Sequence, residues 1–238
     1  SQDWGGAPAA AREWHRRTVR ALSEGDWRHA AYCAGVMSHY IVDPFQPFHT
    51  GQSEEEGVVH RALEWSLSCA FPALKAAIDA APVPEIDVGE GERWLETLVR
   101  EGAVLAHDSY RPFIDHYDLA RGVRRPADGL DEELIARAAR LMAHASIALA
   151  RTLDRAIVAS GAVAPKVSLT LDLVFATLNR PIAAVLKSLD NAAERQVVAA
   201  QYAEFRRTGK VRATLSEDDR TVRALHAAEV LRIPLSSL

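Results

Sequence analysis

Cysteine is scarce in this chain: Cys33 and Cys69 are its only two, too few for a disulfide scaffold, and either reads as a buried thiol. No apolar run approaches the roughly eighteen residues of a membrane span, so no transmembrane segment is expected. No signal peptide is visible, and the chain opens on SQDWGG without a Met, so the termini do not reveal a compartment. Basic charge is not in excess: Lys and Arg number 28 against 32 Asp and Glu, a formal net charge of -4. That rules out a global basic field for nucleic-acid backbones and leaves room only for a local basic groove. Period-two alternation is missing, and no internal repeat stands out. There is no Gly-rich phosphate loop, no G-x-S-x-G elbow and no C-x-x-C pair.

What the chain does have is helical pattern. Its 238 residues, 48% hydrophobic and 25% charged, suffice for one large domain or two small ones with a buried core. A helix is expected from Ala7 to Leu22, with Pro8 in its first turn and Trp14, Thr18 and Leu22 on one stripe. Asp26 caps a second helix that runs to Asp43, where Pro44 stops it. Ser53 and Glu56 have capping-box spacing and start a third helix. Pro72, Pro82 and Pro84 break the chain after that helix, and the VPEIDVGEGE stretch reads as an exposed connector. Further helices are expected over 92–107, 131–160, 167–179, 181–207 and 216–232, with Ser216 and Asp219 again spaced as a cap. The fold class is therefore all-α, a multi-helix bundle. A boundary near Pro165 separates residues 1–164 from a helical C-terminal extension, 165–238, which is a separate module or the last layers of the same domain. Acidic residues interleave with the Arg and Lys of that extension, which reads as a solvated surface.

The window from Ser38 to Trp65, SHYIVDPFQPFHTGQSEEEGVVHRALEW, concentrates the chemistry. His39/Asp43 and His60/Glu64 are each spaced four apart, which on a helix places both side chains on one face, a turn apart. Such a pair offers an imidazole nitrogen and a carboxylate oxygen to one ion, donors that zinc accepts. His49 lies between the pairs in a segment that Pro44 and Pro47 keep out of regular helix. Singly, a His/Glu pair at this spacing is often a weak surface contact. Together, the residues describe two helices and a loop aimed at one polynuclear metal site.

HYIVDPFQPFHT followed by HRALE resembles the signature of the zinc-dependent phospholipase C family and of the single-strand-specific zinc nucleases related to it. That superfamily carries H-x-x-x-D, Q-P-x-H and then H-x-x-x-E or H-x-x-x-D, and binds three zinc ions in an all-helical fold. The match covers about the first third of the chain. The resemblance implies that His39 and Asp43 bind one zinc, with Asp43 bridging to a second, and that His49, His60 and Glu64 form a different site. It also implies an upstream carboxylate acting as general base, for which Asp3 is the candidate, and a further ligand, for which His15 in the Trp14-His15 step is the candidate. The family's mature chain begins with a Trp that chelates the third zinc, helped by another His. Here Ser1 stands first, no His precedes His15, and Trp4 offers only its carbonyl. Two zinc ions or three, with or without residues ahead of Ser1, are thus both consistent with the chain.

Clustered zinc ions bring the pKa of bound water down to about 7 and neutralise charge on a phosphate ester, the two requirements of phosphodiester hydrolysis. Glu64 in the last ligand position, the net charge and the short loop from His49 to His60 lean toward the phospholipase branch. The expected activity is a zinc-dependent phosphodiesterase that cleaves between glycerol and phosphate of a phospholipid. A single-strand nuclease or 3′-nucleotidase-like phosphohydrolase acting on nucleic acid is the alternative, and a helical binding protein that keeps zinc for stability is a third reading. By resemblance the protein is secreted or periplasmic, with a soluble cytoplasmic location as the other option. His29 is expected to be structural. His107 and His116 flank Pro112 near Tyr110, Phe113 and Tyr117, which form either an aromatic wall for a headgroup or base or ordinary bundle packing. His144 and His226 have no ligand-spaced partner.

Overall fold

The computed structural model describes residues 6–89, 91–163 and 180–234. The chain forms α1 (Ala7–Ser23), α2 (Trp27–Val42), two 3-10 turns (Asp43–Phe45 and Pro47–His49), α3 (Glu54–Cys69), α4 (Phe71–Ala80), α5 (Trp94–His107), α6 (Tyr110–His116), α7 (Leu119–Gly122), a 3-10 turn (Pro126–Gly129), α8 (Glu132–Ser160), α9 (Arg180–Thr208) and α10 (Glu217–Leu225) with a closing π turn (His226–Leu231). No strand occurs among the described residues. The fold is all-α, as the sequence pattern requires. The expected helix over 167–179 lies outside the described residues.

Local chemistry explains most boundaries. Asp26 accepts from the His29 amide, Asp131 from that of Leu134 and Ser216 from that of Asp219, each satisfying a donor that has no partner inside its helix. Gly161 ends α8 in the left-handed conformation, φ 63°, which glycine adopts without steric cost. Pro72 starts α4 instead of breaking the chain, because the first turn of a helix has no use for the missing N–H. The sequence reading missed α4 for that reason. It also missed α6 and α7, which are short.

α8 is the shared wall of two cores. Its first half gives Leu134, Ala138, Ala139 and Leu141 to a core completed by Phe48, Leu63, Trp65, Leu74 and Phe113 from α3, α4, α6 and the second 3-10 turn. Its second half gives Ala145 and Ala148 to a core with Met37, Ile41, Phe45, Leu95 and Val99 from α2, α5 and the first 3-10 turn. Alanines on α8 let the neighbouring helices approach closely while keeping high helix propensity. Buried Glu96 on α5 takes Arg12 of α1 at 3.2 Å and Arg93 at 2.8 Å.

The two 3-10 turns bridge these cores. Phe45 (5% exposed) is buried in one and Phe48 (1%) in the other, and burial of each ring is worth roughly 1.5–3 kcal/mol. The prolines pre-set the backbone of both turns. Asp43 and His49 stand at the two ends of this pinned segment and are oriented by burial of residues that carry no chemistry.

The C-terminal extension docks on α3. Arg61 donates two hydrogen bonds to Glu194, at 2.9 and 2.7 Å, and Trp65 Nε1 donates to Asn191 Oδ1 at 3.2 Å. Glu204 accepts from the backbone amides of Arg212, Ala213 and Thr214, and from the Thr214 hydroxyl. Lys210 and Arg212 pair with Glu54 at the start of α3, and Arg223 is buried, so part of the basic tail is spent on docking.

Candidate metal centre

α2 carries His39 in its last turn and the 3-10 turn that follows begins with Asp43, which leaves His39 Nδ1 3.5 Å from Asp43 Oδ1. The pinned segment then returns His49 to the same carboxylate: its Nδ1 lies 3.2 Å from Asp43 Oδ2. The other nitrogen, Nε2, faces α3 and stands 4.0 Å from Glu64 Oε1. His60, one turn before Glu64, places its Nε2 3.3 Å from that same oxygen. All five residues expected in the metal-binding window are thus linked side by side, in the order His39, Asp43, His49, Glu64, His60.

His49, His60 and Glu64 each present one donor atom within 4.8 Å of the other two. Donors bound tetrahedrally at the 2.0–2.1 Å of a zinc–nitrogen or zinc–oxygen bond stand about 3.4 Å from one another. The two separations from Glu64 Oε1, 3.3 and 4.0 Å, lie on either side of that value. Three protein donors leave a coordination position for water or a substrate oxygen, as a catalytic site requires.

Two further side chains hold this group, and neither was singled out as a functional residue from sequence. Glu56, read only as part of a helix cap, turns its carboxylate to His60 Nδ1 and accepts its N–H, while Ser53 alone caps α3 by accepting from the Glu56 amide. Its side chain is 3% exposed. The signal was the same four-residue spacing that marked His60 and Glu64: on α3 the three form a carboxylate–imidazole–carboxylate row. With Nδ1 committed to Glu56, Nε2 is directed to Glu64, the arrangement by which an outer carboxylate fixes the tautomer of a ligating histidine. Gln46, from the Q-P-x-H step, donates from Nε2 to Glu64 Oε1 at 3.1 Å.

The electrostatics arise from these contacts. Burial opposes charge on His60, but the two carboxylates outweigh it and push the imidazole up to about 10. Burial raises Glu64, yet His60, His49 and Gln46 together hold it below the usual carboxylate range. Asp43 is likewise lowered: its burial is overcome by His49 and His39.

Other expected site residues lie elsewhere. Asp3 and Trp4 fall outside the described residues. The ring of His15 packs edge-on against Trp94, with centroids 5.4 Å apart, and burial, then the charge of Arg155, lowers its pKa. It sits seven residues along α1 from Pro8, which lines the same cavity as Asp43, so at 1.5 Å per residue it is about 10 Å farther down the helix. Its Nε2 has no hydrogen-bond partner among the described residues. Phe113 and Tyr117 are core residues, so the aromatic wall is not built from them. His107 stacks on Tyr110 and lies 3.1 Å from the Thr50 hydroxyl, next to His49. His116 pairs with Asp131 instead. His29 contacts Cys33 and Tyr32, as a structural residue does, and burial pushes the Cys33 thiol up.

A cavity of about 240 Å³ opens beside the group, lined by His39, Asp43 and His49 and by Pro8, Val99 and Arg100 of α1 and α5. No protein-family model matches the chain, and neither a curated protein nor a solved structure matches it. Among the described residues, no helix is long and apolar enough to cross a membrane.

Proposed function

We propose that this chain is a zinc-dependent phosphodiester hydrolase of phospholipase C type. The observation that carries the reading is the convergence of one donor atom each from His49, His60 and Glu64 within 4.8 Å of one another, with His49 also lining a cavity of about 240 Å³. His49, His60 and Glu64 hold one zinc ion, and His39 and Asp43 hold a second beside it, with His49 and Asp43 in contact between the two positions. Bound zinc supplies an activated water at neutral pH and neutralises charge on the phosphate oxygens. The chain's own part is orientation. Glu56 holds the His60 ring, Gln46 holds Glu64, and the bridging turns hold Asp43 and His49 between two cores. Asp3 remains the proposed general base, on the resemblance alone.

The test is zinc content by elemental analysis, together with hydrolysis of a choline phospholipid and of single-stranded DNA, with zinc supplied and then chelated. Zinc-dependent release of phosphocholine supports the reading. Cleavage of DNA alone shifts it to the nuclease branch. Bound zinc whose chelation unfolds a protein inactive on both substrates overturns it in favour of a structural ion.

A further inference from the structure

The cavity beside the metal ligands has a cationic residue that the metal reading does not use. Arg100 lies on α5, one turn after Glu96, the acidic residue on its own face of that helix. The Glu96 carboxylate is already taken by Arg12 at 3.2 Å and Arg93 at 2.8 Å. Among the described residues Arg100 makes no hydrogen bond or ion pair, its charge acts on Glu96 only from beyond ion-pair distance, and the residue lines the cavity together with His39, Asp43 and His49. The Asp43 carboxylate on the cavity wall is committed to His49 at 3.2 Å and His39 at 3.5 Å. A planar fork of N–H donors is therefore left at a cavity that it shares with the proposed metal-binding group, and this fork matches the paired oxygens of a phosphate.

We propose that Arg100 anchors the substrate's phosphate by donating to its non-bridging oxygens, and that the cavity seats only the phosphate and the few atoms next to it. The assignment rests on the hydrolase reading above and adds to it the residue that binds the anion. Size sets the second half. At about 240 Å³ the cavity falls below the roughly 300–1,000 Å³ of pockets that enclose a drug-sized ligand, so the remainder of a lipid or nucleotide stays outside. Pro8, Val99 and Ala103 supply apolar lining for the carbon next to the ester oxygen. Arg100 is exposed and makes no hydrogen bond or ion pair among the described residues, and the Glu96 carboxylate on which its charge acts keeps Arg12 and Arg93, so replacing it should leave the fold intact.

The experiment titrates the full zinc-supplied chain with inorganic phosphate by calorimetry, for wild type, Arg100→Gln, Arg100→Lys and, as a control for loss of one positive charge, Arg28→Gln. Zinc content and melting temperature are measured on every sample. A hydrogen bond to a charged group is worth about 1.5–3 kcal/mol, so Arg100→Gln is expected to weaken phosphate about 10- to 150-fold with zinc content unchanged. Arg100→Lys should fall between, since a point charge replaces a fork, and Arg28→Gln should match wild type. Glycerophosphocholine and a dinucleotide should each lose affinity in Arg100→Gln by a similar factor, because the guanidinium reads the phosphate; the tighter of the two identifies the source of the ester. Equal phosphate affinity in wild type and Arg100→Gln, or no phosphate binding by wild type at millimolar concentration, overturns the proposal. Failure of the hydrolase reading is seen separately, as a wild-type chain that takes up no zinc, and the phosphate titration of that protein still decides Arg100.

Discussion

His49 Nδ1 stands 3.2 Å from Asp43 Oδ2, closing a loop whose two phenylalanines are buried in different cores. Because the other nitrogen of His49 faces Glu64, this one ring joins the α2 pair to the α3 pair. Replacing it should disturb both proposed ions, whereas loss of His39 should disturb one. His49→Ala is expected to lose at least one zinc per chain and to lower hydrolysis at least as much as the 10- to 100-fold typical of losing an outer-shell partner. Elemental analysis and an activity assay on the same preparation check this. Full zinc content in His49→Ala would refute the ligand assignment.

Glu56 tests the metal centre without removing a ligand. Glu56→Gln retains the size of the side chain but gives up the charge that accepts from His60 Nδ1. Zinc affinity, measured by competition with a chelator, should fall about 10- to 100-fold. Helix content by circular dichroism should stay unchanged, because Ser53 still caps α3. A variant that unfolds is countered by Glu56→Asp, which should restore part of the affinity.

The metal-free protein should lose stability on the alkaline side. His60 is raised in the folded state from an ordinary value of 6.5 to about 10. A group whose folded pKa is raised contributes stability that is fully present below its unfolded value and is lost as pH rises through the folded one. The melting temperature of zinc-free protein is therefore expected to fall between about pH 7 and 10, and His60→Asn should flatten that slope. Zinc binding must displace the same proton, so zinc affinity should rise over this range. A slope identical in His60→Asn would remove His60 as its cause.

Gly102 on α5 shows how closely the bridging turns are packed. A Cβ there would meet the Phe45 ring at 2.7 Å, and that ring is buried in the core. Gly102→Ala would gain up to about 1 kcal/mol of helix propensity, against roughly 1–3 kcal/mol for overpacking. The expected result is a net loss of stability in denaturant unfolding and weaker zinc binding, because Phe45 lies between Asp43 and His49 in the chain. A more stable Gly102→Ala with unaltered zinc affinity would show that the ring is free to move.

Much of this architecture is legible in the sequence because it is local. Capping by Asp26, Ser53 and Ser216, the four-residue spacing of His39/Asp43 and His60/Glu64, and the interruption at Pro44 and Pro47 all depend on a few consecutive residues, whose geometry the helix repeat dictates. The same locality misled at Pro72, where a helix start and a helix break carry the same residue, and at Glu56, where capping spacing and histidine-facing spacing overlap.

What the tertiary structure alone decided is which local pieces meet. Spacing could pair His39 with Asp43, but only burial of Phe45 and Phe48 in separate cores returns His49 to both Asp43 and Glu64. His15 had a motif-like setting, yet packing against Trp94 holds it about two turns from where α1 nears the cavity. Arg100 had no motif at all, and its place beside the proposed ligands results from how α5 packs against α1 and the bridging turns. Hydrophobic burial is non-directional and acts between residues far apart in the chain. The partners of each helix face were therefore set by the assembled core, while the faces themselves were set by the order of the amino acids.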